Sequence, residues 1–295
     1  MLPLADVTRS SDCRQVSSQT PSHVTVTWIL PDAPEQRAKL DAACAGIGPV
    51  VVQTASGGSL SSPLPLTIVV WNTFLGRGNV DELVSKLELG DFTGGQRIDR
   101  FALVLQEVFR TPILEFARRR GLSIVYAPAR RRGNDADDRG NAILATAPLD
   151  QITVVELPFE KQRRIAVGAR LGPLHIVNVH FDTSVGIFRG GPSAARRRQA
   201  RAVSEALAGI PEPLIIAGDL NTWWGDDEPA VKALRQVFPD AEPIAARETW
   251  RGPLRAGNKL DYLFAKGIQP PVAVRRLNER FGSDHWPLLA TVPLP

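Results

Sequence analysis

From Leu66 to the C-terminus the chain alternates short, nearly unbroken apolar runs with longer stretches whose apolar residues recur at helical spacing. Strands are predicted over Leu66–Val70, Ala102–Leu105, Ser123–Tyr126, Ala142–Leu144 and Ile165–Leu171, then over Leu174–Val179, Leu214–Ala217, Leu260–Phe264, Val272–Val274 and Leu288–Val292. Gly172-Pro173 sits between two of these runs like a hairpin turn. Helices are predicted over Val80–Leu87, Pro112–Arg120 (closed by Gly121), Ser193–Leu207 and Pro229–Phe238. Strands joined both by hairpins and by helices imply mixed sheets between helical layers, in one α/β domain covering 66–295. Residues 1–65 read differently. They hold one short strand (Val24 to Leu30), a helix-like stretch (Ala33 to Ala45) and a Gly/Ser-rich connection (Ser56 to Ser62), and are expected to be an N-terminal extension.

Composition narrows the class only a little. At 295 residues, 43% hydrophobic and 22% charged, the chain can build a substantial core. No apolar run approaches the roughly 20 residues of a membrane helix. The net charge of +4 is modest and rests on many Arg, with runs at 118–120, 130–132 and 196–198 and Arg201 one turn on. Such runs are usually solvated faces, but they suit an anionic substrate, since Arg grips phosphate through two N–H groups at once. The two cysteines, Cys13 and Cys44, both precede the first motif. Either they are unrelated thiols or they form a disulfide tying down the extension; the second is favoured and would place the protein in an oxidising, extracytoplasmic compartment, the first in the cytoplasm. No leader is visible after Met1-Leu2-Pro3, which leaves a removed one open.

The chemistry gathers where the strand-like runs end. Trp71-Asn72 follows one run and Gln106-Glu107 another; His180 follows Ile176-Val177-Asn178-Val179; Gly218-Asp219-Leu220-Asn221 follows Leu214-Ile215-Ile216-Ala217. Asp261 opens Leu260-Asp261-Tyr262-Leu263-Phe264, and Ser283-Asp284-His285-Trp286-Pro287 precedes the last run. One polar residue ending a strand is commonplace, because a chain must leave the core somewhere. Several strands ending in Asn, Glu, His and Asp is the arrangement that builds a ligand site at one edge of an α/β sheet.

This ordered set resembles the endonuclease/exonuclease/phosphatase superfamily. The resemblance rests on Trp71-Asn72, Gln106-Glu107-Val108, Gly140-Asn141-Ala142-Ile143-Leu144, Asn178-Val179-His180, Gly218-Asp219-Leu220-Asn221, Leu260-Asp261-Tyr262 and Ser283-Asp284-His285. It spans Leu66 to the C-terminus. It implies a four-layer sandwich, two mixed β-sheets packed face to face and flanked by helices. It further implies a phosphoester hydrolase in which Asn72, Glu107 and Asp284 hold Mg²⁺ (or Mn²⁺), hard ions that prefer oxygen ligands. His285 would be general base for water or a phosphate contact, with Asp261 orienting its imidazole. Asp219 and Asn221 would align water and scissile phosphate, and His180 would donate to a phosphoryl oxygen or help the leaving group. Arg139 and Asn141, in the loop that approaches the phosphate in this family, are expected substrate contacts. The implied substrate is nucleic acid, a lipid head group or a small phosphoester, and a monomer is expected.

Plainer readings compete residue by residue. Asn72 alone would be a turn former, and Glu107 could pair with Arg110, although four preceding apolar residues favour a ligand. Of the four His, His23 and His175 lack motif context. Asp226, Asp227 and Glu228 are read as helix-start acids. Trp223, Trp224 and Trp286 stand beside motifs and could line a groove. Gly190-Gly191-Pro192 precedes an Arg-rich helix whose Arg197, Arg201 and Glu205 are expected to be solvated, with Ala200, Val203 and Leu207 inward. The modest charge argues weakly against a dedicated duplex-DNA enzyme, although a deoxyribonuclease-like endonuclease stays an alternative. A binding relative without catalysis would lack Glu107, Asp219 or His285, and all three are present.

Overall fold

Continuous apolar runs, rather than strict alternation, mean strands buried on both faces. In the computed structural model of the protein, which describes residues 12–55, 65–133, 135–184, 191, 193–252 and 257–294, this is how the strands sit. Along β3 (Leu66–Asn72), Leu66, Ile68 and Val70 point into the layer between two sheets, while Val69 and Trp71 point outward under helices. In β10 (Leu214–Asp219), Ile215 and Ala217 face inward and Leu214 and Ile216 outward.

One sheet has six strands in the order β1-β7-β8-β9-β10-β13. These are Val26–Ile29, Asp150–Glu156, Ile165–Leu171, Leu174–His180, β10 itself and Asp261–Lys266. The other has seven strands in the order β14-β15-β3-β4-β6-β5-β2. Its members besides β3 are β2 (Val51–Gln53), β4 (Phe101–Phe109), β5 (Ser123–Arg130), β6 (Arg139–Ala145), β14 (Val274–Arg276) and β15 (Leu288–Val292). A two-stranded ribbon, β11 (Trp250–Arg251) with β12 (Gly257–Asn258), stands apart from both. The inner core lies between the sheets. Helices α2 (Val80–Leu89) and α3 (Arg110–Arg120) cover the outer face of the seven-stranded sheet, and α4 (Ala194–Ala206) with α5 (Pro229–Val237) cover that of the six-stranded sheet. The result is the four-layer sandwich that the sequence implies. Among the described residues no helix is long and apolar enough to cross a membrane.

The helix ends follow local rules. Asn79 caps α2 by accepting from the Glu82 N–H, and Gly90 and Gly121 close α2 and α3 in the left-handed region. The expected strand Val24–Leu30 is β1, and the expected helix Ala33–Ala45 is α1 (Pro34–Ala42). The segment before Leu66 does more than precede the sheets. β1 pairs in parallel with β7, and β2 pairs antiparallel with β5, so it supplies an edge strand to each sheet. Cys13 and Cys44 are joined by a disulfide across a sequence separation of 31. The Gly/Ser-rich connection at 56–62 and the Gly190 and Pro192 positions fall outside the described residues.

Candidate active site

Strand register assembles the site. β9 and β10 run parallel with His180 beside Asp219, and β13 runs antiparallel to β10 with Asp261 beside Asp219. Three of the expected catalytic residues therefore stand in a row at one end of the six-stranded sheet. In the opposing sheet β3 and β4 run parallel with Asn72 beside Gln106, which brings Asn72 and Glu107 to a corresponding end. The two ends meet: the Asn72 amide donates to Asp219 Oδ2 at 2.9 Å.

Two backbone features aim the side chains. Glu107 has φ +60 and lies in a bulge where the β4–β6 register shifts between Leu105 and Val108. A bulge turns a residue that would face the core toward the strand edge, and a left-handed conformation at a non-glycine residue is costly enough to mark a functional constraint. Gly218 permits the second approach, since a Cβ there would lie 1.9 Å from the Val179 carbonyl oxygen. Only glycine lets β10 lie that close to β9 at this point.

Asp219, buried, is the hub. Its Oδ1 accepts from the Asn221 N–H at 2.8 Å, and its Oδ2 faces His180 Nε2 at 3.5 Å and His285 Nε2 at 3.9 Å. Burial above all, and then the Asp261 charge, push its carboxyl up to about 7 against the opposing pull of His285 and two hydrogen bonds. His285 Nδ1 lies 2.8 Å from Asp261 Oδ2. Burial disfavours the imidazolium, but Asp261, Asp219 and Asp284 outweigh it and raise His285 to about 9. His180 is the opposite case. Burial, followed by Arg164 and His285, holds it well below the usual imidazole range. Arg164 Nη1 lies 2.9 Å from His180 Nδ1, and because a guanidinium can only donate, Nδ1 accepts and Nε2 carries the proton. His180 thus presents an N–H toward Asp219 and Glu107.

The C-terminal loop is latched to the opposing sheet. Ser283 Oγ donates to the Asn72 carbonyl at 2.7 Å and accepts from the His285 N–H at 3.0 Å. The Trp71 indole donates to the His285 carbonyl at 3.1 Å. Asn221, at φ +49, directs its amide to the Phe181 carbonyl.

The expected cation ligands surround this hub. Glu107 Oε2 accepts from the Leu75 N–H at 2.9 Å, while Oε1 faces His180 Nε2 at 4.0 Å. Asp284 Oδ2 accepts from the Trp250 indole at 2.8 Å, and its Oδ1 is buried with no hydrogen-bond partner. Among the described residues Glu107 Oε1 and Asp284 Oδ1 thus have no hydrogen bond, a donor set that suits a hard divalent cation. Asn72 is less free: its Oδ1 accepts from the Phe74 N–H at 2.9 Å. Among the described residues the tightest Asp/His grouping with metal-binding potential is instead Asp219, Asp261 and His285, with ligand atoms within 4.8 Å of one another. Most of that geometry is accounted for by the Asp261–His285 hydrogen bond.

Arg139 is buried, 4.0 Å from Glu107 and 3.7 Å from Asp135, and Asn141 donates to the Ile165 carbonyl at 3.0 Å. Both line a cleft of about 400 Å³ together with Glu107, His180 and Arg164. The larger hollow, about 580 Å³ between β1 and α4, contains none of the expected site residues.

Several contributors went unread in the sequence. Arg164 sets the His180 tautomer; Thr249 Oγ1 accepts from the Asp261 N–H at 2.9 Å; Trp250 holds Asp284. Asn178 and Gln106 join across the inner layer at 2.8 Å and tie the two sheets together. Arg164, Thr249 and Trp250 carry no signal that distinguishes them from ordinary strand or turn residues, whereas Asn178 and Gln106 stand in the motifs with no role assigned to them. Glu107 pairs with no Arg110, which is taken by Asp138 at 2.9 Å. Glu228 is more than a helix-start acid: it is fully buried, pairs with Arg196 at 2.8 Å and accepts from the Trp223 and Trp224 N–H groups.

The sequence profile described as the Endonuclease/Exonuclease/phosphatase family matches residues 69–285. No curated protein matches the chain. Among solved structures, sphingomyelinase C from Streptomyces griseocarneus superposes with a TM-score of 0.53 at 20% identity, covering 77% of this chain and 99% of that one. A 3'-5' exonuclease from Neisseria meningitidis gives 0.55 at 15% identity, over 77% of this chain and 100% of that one. An endonuclease/exonuclease/phosphatase from Bacteroides vulgatus gives 0.53 at 16% identity, over 78% and 99%. At such identities these structures speak for the fold.

Proposed function

The chain belongs to the endonuclease/exonuclease/phosphatase family, and from that premise we propose that it is a Mg²⁺-dependent (or Mn²⁺-dependent) hydrolase that cleaves a phosphoester by direct attack of water. The observation that carries this reading is the buried Asp261–His285–Asp219 group, where the C-terminal loop meets the strand ends beside a basic cleft. Glu107 and Asp284, with Asn72 Oδ1, would hold the cation. When bound, it supplies positive charge that stabilises the phosphoryl group as negative charge develops.

The chain's own residues do the rest. Asp219 and the Asn221 loop position the water, and its proton passes to the Asp219–His285 pair, which faces itself at 3.9 Å. Asp261, bonded to Nδ1, turns His285 Nε2 toward the water and stabilises the imidazolium. His180 donates its Nε2–H to a phosphoryl oxygen, and Arg139 and Asn141 orient the phosphate from the cleft wall. The water oxygen bonds to phosphorus as the bond to the leaving oxygen breaks, without a covalent enzyme intermediate. The Cys13–Cys44 disulfide supports an extracytoplasmic setting.

The test is turnover of plasmid DNA, single-stranded DNA, sphingomyelin, inositol phosphates and a nitrophenyl phosphodiester with Mg²⁺, Mn²⁺ or EDTA. At least one substrate should turn over with metal and none with EDTA. His285→Ala should lower kcat by roughly 10³-fold or more. Turnover that survives EDTA, or that His285→Ala leaves untouched, would sink the mechanism.

A further inference from the structure

Many arginines of this protein have a carboxylate partner. Arg120 pairs with Asp81 and Glu88, Arg170 with Asp150, Arg198 with Glu160 and Arg201 with Glu205. The cleft beside His180 breaks that habit. It is lined by Arg130, Arg132, Arg139, Lys161 and Arg164, with Glu107 the one carboxylate among its lining residues. Among the described residues no carboxylate lies within the 4.0 Å ion-pair distance of Arg130, Arg132, Lys161 or Arg164, and the ion pairs of Arg139 are long, 3.7 and 4.0 Å.

Two of these cations are buried, and each leaves a donor idle. Arg139 and Arg164 are both 6% exposed, and the Nε of each has no hydrogen-bond partner. A buried, unpaired donor on a cation is expensive unless something enters to accept from it. Burial, then the Arg132 and Arg139 charges, make Arg130 harder to keep protonated than usual, against the smaller opposing pull of Glu107 and Asp135. The crowding is held in place. The buried Asp182 carboxylate accepts from the Lys161 and Gln162 N–H groups, each at 3.2 Å, and Gln162 Oε1 accepts from Arg130. Next in the chain, Arg163 donates to Glu156 and to the Pro128 carbonyl, so residues 161–164 are clamped against the end of β5.

The positive charge exceeds what one scissile phosphate requires. Arg139, Arg164 and His180 lie deep, beside Glu107, whereas Arg132 and Lys161 are exposed at the mouth and Arg130 lies between. We propose that this cleft is a second anion subsite, in which Arg130, Arg132 and Lys161 bind a further phosphate of the same small substrate while the scissile phosphate lies against Glu107 and His180. This rests on the hydrolase reading above and narrows it to phosphoesters that carry a second phosphate close to the one cleaved. A small molecule is the occupant this cleft suits, because Arg130, Arg132 and Lys161 open into the same cleft of about 400 Å³ as Arg139, Arg164 and His180.

The experiment uses the full chain. In EDTA, calorimetric titration with inorganic pyrophosphate and orthophosphate should show pyrophosphate binding at least 10-fold tighter. The triple variant Arg130→Gln, Arg132→Gln, Lys161→Gln, with an unchanged thermal melt, should erase that difference. With metal, a nucleoside nitrophenyl phosphodiester bearing a second phosphate on the sugar should exceed its unphosphorylated analogue in kcat/KM, and the variant should reduce that ratio at least 10-fold, mainly through KM. Equal affinity for the two anions, or a ratio indifferent to the variant, overturns the subsite. A single-stranded oligonucleotide competing 10-fold better than a sugar bisphosphate overturns the small-substrate assignment. A protein that hydrolyses no phosphoester yet shows the pyrophosphate preference refutes the hydrolase reading and leaves the subsite standing.

Discussion

Asp219 Oδ2 is the point on which the two imidazoles converge, and the two are held in opposite states by their other nitrogens. His180 is forced neutral by burial and by Arg164 at Nδ1, while His285 is drawn toward the imidazolium by Asp261 at its Nδ1. In the proposed mechanism one imidazole is thereby an N–H donor toward the phosphate and the other a partner in proton transfer. Replacing the orienting carboxylate tests this at single-residue scale. Asp261→Asn should leave the fold intact but offers an amide N–H to Nδ1, which moves the imidazole proton to Nε2, the atom that must face the water. We expect kcat to fall by roughly 10³–10⁴-fold with KM little changed. A parallel fall in thermal stability and KM would show that Asp261 is structural instead. The Asp–His pairing was legible from the sequence through the resemblance; the Arg164 contact was not, because one of two adjacent Arg just before a strand looks like any other.

At the scale of elements, the apolar runs located nearly all the strands that matter, since residues buried on both faces leave an unbroken hydrophobic signature. Ile165–Leu171 and Leu288–Val292 agree to the residue. β7 went unpredicted although Ile152, Val154 and Val155 are apolar and buried, and β2 was hidden in a segment read as an extension. β2, an edge strand of three residues, carries too few residues to show a period, whereas in β7, an internal strand of seven, Asp150, Gln151 and Thr153 interrupt the apolar run. Site residues appeared at the ends of the predicted strands because parallel neighbours bring their C-terminal ends to the same edge. That juxtaposition depends on how closely β9 and β10 approach. Gly218→Ala should therefore push the strands apart at His180 and Asp219, because its Cβ would fall 1.9 Å from the Val179 carbonyl. Lower stability by about 1–3 kcal/mol in urea titration, together with a loss of kcat larger than the loss of folded protein, is expected. A variant of unchanged stability and activity would mean that the strands can part without cost.

The whole molecule is held by more than its two sheets. The segment before Leu66 contributes β1 to one sheet and β2 to the other, and two fastenings secure it. One is the Cys13–Cys44 disulfide. The other is Arg14, buried, which pairs with Asp41 beyond α1's first turns and reaches Glu156, itself the partner of Arg163 at the back of the basic cleft. The fastenings touch, for ligand atoms of Cys13, Cys44 and Glu156 lie within 4.8 Å of one another. Glu156→Ala deprives the buried Arg163 of its carboxylate and Arg14 of the second of its two, a loss of about 3–5 kcal/mol. Opening the disulfide frees a closed loop whose 31-residue separation corresponds to about 3–4 kcal/mol in the chain-entropy account. Because both hold the same segment in the same place, the second loss should be smaller once the first has occurred. Urea unfolding of Glu156→Ala, oxidised and reduced, should therefore show a double effect below the sum of the single ones. Strict additivity would mean that the disulfide and the ion pair secure separate parts, and that the segment before Leu66 is not fastened as one unit.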